Sequence, residues 1–201
     1  MKVIKARDFL LGKHDDLVKE ELEKGNVIIF PSESSYGLAG NALSQKVVNK
    51  IHQAKKEDNN KPIGVITDDI KKVESLINID KKGKKLLKIF SKPITVIFKA
   101  KKSIPANKNN VLGVRIPLNI EANHLCSLVN FPLTAIAANI NGNSTIYDSS
   151  EIKKVFSSTK FVLIDAGKLE VRAPSTYYDF ENKLILRAGE ISITEINSAF
   201  K

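Results

Sequence analysis

The chain has 201 residues, of which 42% are hydrophobic and 27% charged, and its formal net charge is +10. This length favours a single domain over residues 1–201, and the composition excludes a largely disordered protein. A single cysteine, Cys126, excludes an internal disulfide and a cysteine-cluster metal site, so we expect it to fill apolar space. The sequence has no run of about 18 apolar residues and no apolar leader, so we expect a cytoplasmic protein without membrane contact.

The positive charge makes a polyanion such as RNA, or an anionic substrate, a reasonable partner. Much of the excess lies in lysine pairs, which are most simply solvated helix faces, because no aromatic residues interleave with them as stacking platforms. Arginine is scarce, and in a lysine-rich chain each arginine is a candidate for bidentate recognition of phosphate or carboxylate. The four arginines are Arg7, Arg115, Arg172 and Arg187.

The hydrophobic pattern predicts strands and helices that alternate along one continuous chain. Helices are predicted over residues 15–23, from a cap at 44 through 51, across the lysine-rich residues 69–90, and over 123–129 and 193–200. Strands are predicted over residues 27–30, 63–67, 94–98, 112–117, 133–139, 161–165, 176–179 and 184–186. This order predicts an α/β (α+β) fold with an open, twisted, mixed sheet that is flanked by helices.

The most informative segment is the apolar strand at residues 27–30 and the polar loop that follows it. Pro31 is predicted to end the hydrogen-bond ladder of the strand, and hydroxyl and carboxylate side chains follow between Ser32 and Gly40. Glycines in such a loop let the backbone pass close to a ligand. We interpret the segment as a strand that delivers polar groups to a pocket; a plain polar turn is the alternative.

Two familiar nucleotide-binding motifs are missing from the sequence. It contains neither a Gly-x-x-x-x-Gly-Lys-Ser/Thr phosphate loop nor a Gly-x-Gly-x-x-Gly fingerprint. Any ATP site must therefore be assembled from side chains on several strands.

Seven short motifs, each weak alone, occur in an informative order. They are Pro31-Ser-Glu-Ser-Ser-Tyr-Gly-Leu, Lys55 before Lys61-Pro-Ile, Lys92-Pro-Ile-Thr, Val114-Arg-Ile-Pro, Ala138-Asn-Ile-Asn-Gly, Ala173-Pro-Ser-Thr and Leu186-Arg-Ala-Gly. Their succession resembles the YrdC/Sua5 family of threonylcarbamoyl-AMP synthases, from about residue 17 to residue 191. The chain is similar to the catalytic domain of that family, without the extra C-terminal domain of its longer members.

The resemblance implies a YrdC-like fold with a basic concave face where L-threonine, bicarbonate and ATP meet. The implied reaction makes threonylcarbamoyl-adenylate and pyrophosphate for N6-threonylcarbamoylation of adenosine 37 in tRNA. Mg²⁺ is expected with ATP, held mainly by phosphate oxygens, and no protein metal site is expected. Implied partners are tRNA or structured RNA and the proteins that transfer the threonylcarbamoyl group to tRNA.

The resemblance also implies roles for individual residues. Those expected at threonine and bicarbonate are Ser32, Ser34, Tyr36 and Thr95. Those expected at the nucleotide are Lys55, Lys61, Arg115, Asn139, Ser175 and Arg187, with Lys55, Arg115 and Asn139 as catalytic residues. Without the resemblance, Lys55 would be part of a basic helix end, and the arginines would be candidates for structural salt bridges.

Two positions depart from the family pattern: Glu57 stands where the family has arginine, and Ala137 stands where it has serine. Lys56, Lys61 and Arg172 are candidates to replace the missing cation. The departures keep a second hypothesis open, a non-catalytic paralogue that binds a nucleotide or double-stranded or structured RNA. A third is a ligase or carbamoyl-transfer enzyme with another amino acid or acyl acceptor.

Overall fold

The computed structural model describes residues 1–107 and 109–200. Its strands are β1 Lys2–Lys5, β2 Ile28–Pro31, β3 Tyr36–Ala39, β4 Gly64–Ile66, β5 Ile94–Lys99, β6 Val111–Arg115, β7 Leu133–Ala137, β8 Val162–Asp165, β9 Thr176–Asp179 and β10 Leu184–Arg187. Its helices are α1 Ala6–Leu10, α2 Asp15–Glu23, α3 Gln45–Lys55, α4 Lys71–Glu74, α5 Lys81–Ile89, α6 Ile120–Ser127, α7 Ser149–Val155 and α8 Ile193–Ser198.

The strands form a single mixed sheet in the order β1-β8-β2-β3-β7-β4-β6-β5-β9-β10. The sheet contains parallel pairs (β1 with β8, β2 with β8, β4 with β6, β5 with β9) and antiparallel ones such as β2 with β3 and β5 with β6. This arrangement confirms the α/β class and the partly parallel sheet predicted from the sequence.

Strand β2 is buried on both faces because its side chains alternate between two apolar clusters. Ile28 and Phe30 belong to a cluster with helices α1, α2 and α6, whereas Val27 and Ile29 belong to the larger cluster with α3. The continuous apolar run at residues 27–30 is therefore explained by a central strand covered by helices on both sides. Cys126 is buried in the first cluster, as expected for an apolar filler.

The polar loop after β2 is shorter than predicted. Instead of a loop as far as Gly40, the structure has a hairpin in which Ile28 pairs with Ala39 and Pro31 with Tyr36. Pro31 belongs to β2 but lies beyond its pairing with β8, which covers Ile28 and Ile29 only. The missing amide of proline is thus tolerated on that side, and the loop is confined to residues 32–35.

Several other boundaries correct the sequence-based predictions. The lysine-rich helix expected over 69–90 is two helices, because Asp80 accepts a hydrogen bond from the amide of Gly83 (2.7 Å) and caps a new helix. Helix α6 begins at Ile120 rather than 123, because Asn119 caps it through the amide of Ala122. The elements β1, α1 and α7 were not predicted, and β7 ends at Ala137, before residue 139.

Candidate functional site

A cavity of about 420 Å³ opens on the sheet, between the β2–β3 hairpin and the strands β4 to β7 and β9. Among the described residues that line it, five are basic and one is acidic. The basic ones are Lys55, Lys61, Arg115, Arg172 and Arg187, and the acidic one is Glu57. Such a lining favours an anionic ligand.

The loop of residues 32–35 forms one wall of the cavity. Both the amide and the hydroxyl of Ser32 donate to the carbonyl of Ser35, at 2.9 and 2.8 Å, and close the loop into a tight turn. Ser32 and Ser34 line the cavity. The loop therefore presents the hydroxyl of Ser34 and the acceptor lone pairs of the Ser32 hydroxyl to a ligand, on a backbone that the turn fixes.

Glu33 anchors the same loop from behind. Its Oε1 accepts hydrogen bonds from the amides of Leu118 (2.6 Å) and Asn119 (3.2 Å), and its Oε2 lies 3.1 Å from Nη1 of Arg115. The side chains of Glu33 and Arg115 are only 8% and 11% exposed. Burial raises the pKa of Glu33, but Arg115 and the backbone amides outweigh it, so the pKa lies below its usual value. Glu33 thus fixes both the loop and an arginine of the cavity.

Tyr36 does not line the cavity, although the resemblance implied that it flanks the substrate. Its side chain is fully buried, and its hydroxyl donates to the carbonyl of Gly167 (2.9 Å) and accepts from the amide of Ala166 (3.0 Å). Alternation along β3 turns Gly37 toward the cavity and Tyr36 away from it. Burial raises the pKa of Tyr36 to about 12. Tyr36 therefore attaches the hairpin to the end of β8.

Asp165 holds that attachment point. Its Oδ1 accepts from the amide of Gly167 (2.9 Å), and its Oδ2 accepts from Lys153 (2.8 Å) and Lys5 (2.9 Å). Burial raises the pKa of Asp165, but the hydrogen bonds, that from Lys153 first, outweigh it and hold the pKa far below its ordinary value. The charged form of Asp165 therefore stabilises the fold behind the hairpin.

Lys55 lies at the last position of α3 and is nearly fully buried. Its Nζ donates to the carbonyls of Ala137 (2.7 Å) and Asn139 (2.8 Å) and to Oδ1 of Asn139 (2.8 Å). These acceptors use all the donors of an ammonium group. Burial lowers the pKa of Lys55. In this structure Lys55 therefore fixes the turn after β7 and keeps Asn139 at the cavity wall.

The arginine position of the family pattern is occupied here by a buried carboxylate. Oε1 of Glu57 lies 3.2 Å from Nδ1 of His52, and its Oε2 lies 3.2 Å from Nζ of Lys61. Lys61 also donates to Oδ1 of Asn141 (3.2 Å) and is half exposed at the cavity. Of the cations named as replacements, Lys61 and Arg172 line the cavity, whereas Lys56 is not among the lining residues.

The far wall brings Thr95 on β5 and Ser175 before β9 together. Their hydroxyl oxygens are 2.9 Å apart. Arg187 donates through Nε and Nη2 to the carbonyl of Ser175 (3.2 and 2.9 Å) and through Nη2 to its hydroxyl (3.0 Å), and its guanidinium stacks 3.9 Å from the ring centre of Tyr177. This paired and stacked geometry is one that arginine can make and lysine cannot.

Sequence reasoning missed several residues of the cavity. Tyr177 could have been found from Ser175, because side chains two apart on a strand share a face. Asn141 lies in the turn after β7, and it belongs to the Ala138-Asn-Ile-Asn-Gly motif that also contains Asn139. Glu33 stood in the predicted loop without a role, and its partners, distant in sequence, are visible only in the fold. Thr145 and Tyr147 also line the cavity, and no sequence signal marks them.

Within residues 1–107 and 109–200, no cluster of three or more histidine, cysteine, aspartate or glutamate side chains could hold a metal ion. The one acidic residue described in the cavity lining, Glu57, already faces Lys61. None of the described helices is long and apolar enough to cross a bilayer.

Comparison with known proteins finds relatives along most of the chain. A protein of Methanocaldococcus jannaschii named as a candidate threonylcarbamoyl-AMP synthase is 30% identical over 185 residues, covering 90% of this chain and 88% of its own. The threonylcarbamoyl-AMP synthase of Histophilus somni is 26% identical over 177 residues, covering 85% of this chain and 96% of its own.

The fold agrees with a solved structure as well. The H234A/Y235A variant of Sua5 from Pyrococcus abyssi superposes with a TM-score of 0.88 at 25% identity, covering 98% of this chain. This chain spans only 60% of that one, so the match concerns a part of the longer protein. Residues 20–189 match the family model Sua5/YciO/YrdC, described as telomere recombination. The chain therefore belongs to the Sua5/YciO/YrdC family.

Proposed function

We propose that this protein is a threonylcarbamoyl-AMP synthase that joins L-threonine, bicarbonate and ATP. The observation that carries the proposal is the convergence of the Ser32–Ser34 hydroxyls with Arg115, Arg187 and Lys61 in one cavity. The names of the relatives in Methanocaldococcus and Histophilus support it, and Sua5 of Pyrococcus abyssi has been solved with L-threonine.

The proposed reaction has two bond-forming steps. The amine nitrogen of threonine attacks the carbon of bicarbonate, a C–O bond breaks, and water leaves to give a carbamate. A carbamate oxygen then attacks the α-phosphorus of ATP, the bond to the bridging oxygen breaks, and pyrophosphate departs with that electron pair. Anionic groups are crowded together in both steps, so fixed cations and positioning account for most of the catalysis.

The cavity divides naturally between the substrates. Ser32 and Ser34 are proposed to bind threonine and bicarbonate, with Thr95 at the boundary because its hydroxyl touches Ser175. Ser175 and Arg187, with Arg115, are proposed to bind the nucleotide and its phosphates. Asn139 is proposed to act beside them, held by Lys55. Mg²⁺ would accompany ATP and neutralise charge on its phosphates as pyrophosphate leaves.

The product is proposed to serve N6-threonylcarbamoylation of adenosine 37 in tRNA, through separate transfer proteins. The observations favour an enzyme over a non-catalytic paralogue, because the hydroxyl groups, cations and nucleotide-side residues are assembled in a single cavity. A protein that bound RNA with a steep salt dependence but released no pyrophosphate would overturn this preference.

The test is pyrophosphate release from ATP with L-threonine, compared with L-serine and L-valine. Serine lacks the methyl group of threonine, and valine lacks its hydroxyl. We expect L-threonine to be the best substrate and Ser34→Ala to lower kcat/KM by about tenfold, the effect of one lost hydrogen bond. Ser158→Ala, an exposed serine outside the cavity, is the matched control. Equal rates with all three amino acids, or none with threonine, would refute the assignment.

A further inference from the structure

The acidic residue in the basic cavity calls for an explanation. Glu57 is the one carboxylate among the described lining residues, and its side chain is only 1% exposed. A carboxylate close to bound phosphates repels them by Coulomb's law, so its presence in the cavity requires another role. Its surroundings identify that role.

The backbone directs Glu57 into the cavity. Lys56 ends helix α3 in the left-handed region (φ 53°), and the amide of Glu57 donates back to the carbonyl of His52 (3.1 Å). The contact of its Oε1 with Nδ1 of His52 (3.2 Å) holds the carboxylate by a second link. The position of the remaining oxygen, Oε2, is therefore fixed.

That oxygen faces Lys61. Oε2 lies 3.2 Å from Nζ of Lys61, an ion pair without hydrogen-bond geometry, and the same ammonium donates to Oδ1 of Asn141 (3.2 Å). An ammonium has three donors, so Lys61 keeps at least one for a ligand, and its side chain is 51% exposed. Lys55, in contrast, is nearly buried and donates to three protein acceptors.

We infer that Lys61 is the lysine that contacts the phosphates of ATP, and that Glu57 is its positioning residue, with Asn141 as the second support. A flexible lysine loses side-chain entropy when it binds, and a fixed carboxylate removes part of that cost in advance. The inference deepens the proposed function and rests on it for the identity of the ligand.

The direction in which Glu57→Gln changes the affinity for a nucleotide distinguishes two roles of Glu57. If Glu57 acts only through its negative charge, Glu57→Gln relieves repulsion and tightens the binding of a nucleotide. If it positions Lys61, Glu57→Gln loosens the lysine and weakens binding. We expect Glu57→Gln to weaken binding about fivefold and Lys61→Met about tenfold, the scale of one charge-assisted hydrogen bond.

A double-mutant cycle separates positioning from a general structural role. Affinity for a non-hydrolysable ATP analogue with Mg²⁺ is measured by calorimetry for the wild type, Glu57→Gln, Lys61→Met and the double variant. We expect Glu57→Gln to have less than about a twofold effect once Lys61 is absent, because the variant acts through that lysine. Glu23→Gln, the same substitution at an exposed residue outside the cavity, is the matched control and should change the affinity little.

Three outcomes would overturn the inference: tighter binding by Glu57→Gln, an equal loss with and without Lys61, or no analogue binding by the wild type. Thermal melts of all variants identify any that are merely unfolded, and Glu57→Asp provides a second variant that keeps the charge. Because the analogue cannot react, the cycle does not depend on turnover. Wild-type protein that binds the analogue but makes no threonylcarbamoyl-adenylate would refute only the proposed function.

Discussion

Replacing Glu33 by glutamine should weaken the fold and the cavity together. The carboxylate accepts two backbone hydrogen bonds and faces Arg115 at 3.1 Å, with both side chains nearly buried. Glutamine keeps an oxygen for the amides but removes the charge, which leaves the guanidinium of Arg115 without its ion-pair partner. Losing the charged part of such a buried pair costs about 2 kcal/mol.

In a domain of this size, that loss lowers Tm by roughly 4–8 °C. The loss should depend on pH in a defined direction. The pKa of Glu33 is lowered in the folded protein, so its contribution is fully present above the ordinary carboxyl pKa and is lost as the pH falls through the lowered value. The gap between wild type and Glu33→Gln should therefore be constant near neutrality and shrink below about pH 4.

The assay is a series of thermal melts monitored by circular dichroism between acid and neutral pH. Glu181→Gln removes a carboxylate from an exposed residue and serves as the matched control. Equal Tm values for the two variants at neutral pH would refute the reasoning. So would a gap that persists unchanged in acid, because it would not come from the charge of Glu33.

Three other changes have defined outcomes. Arg187→Lys loses the paired hydrogen bonds to Ser175, so the KM for ATP should rise about tenfold with little change in Tm. An unchanged KM would contradict a role of this paired, stacked arginine in ATP binding. Asp165→Asn should lower Tm at neutral pH. Because the pKa of Asp165 is depressed, the Tm difference from the wild type should vanish as the pH falls well below the ordinary pKa of aspartate. A Tm difference that does not depend on pH would exclude the charge as its cause. Gly189→Ala places a Cβ 2.4 Å from the carbonyl oxygen of Pro174, so both Tm and activity should fall. Gly64→Ala, whose Cβ would lie 3.5 Å from the carbonyl oxygen of Gly113, should keep its Tm.

Local signals predicted much of the fold correctly. The helix at Asp15–Glu23 was predicted with its observed bounds because Gly25 stops it, and Gly25 indeed adopts a positive φ of 73°. The predicted element bounds were wrong where a local signal was overlooked or where the pairing of distant strands decided the structure. Asp80, a capping residue inside a lysine-rich run, divides one expected helix into two. Tyr36 is in a strand because β3 lies between β2 and β7.

The positions of the candidate site were more predictable than its contacts. The order of the motifs predicted that Ser32, Thr95 and Arg187 share one site, and all three line the cavity. It could not show that the donors of Lys55 are all used by the turn after β7, because those acceptors lie more than 80 residues away in the chain. It also could not show that Glu57 faces Lys61. Both facts depend on how separate strands meet in the sheet.

The central claim is that this cavity joins three substrates into one adenylate. The most direct measurement is mass spectrometry of the purified protein incubated with ATP, Mg²⁺, L-threonine and isotopically labelled bicarbonate. The account predicts threonylcarbamoyl-adenylate that carries the label, together with pyrophosphate, and neither product when threonine is omitted. Absence of the adenylate from protein that is folded and binds the ATP analogue would contradict the account.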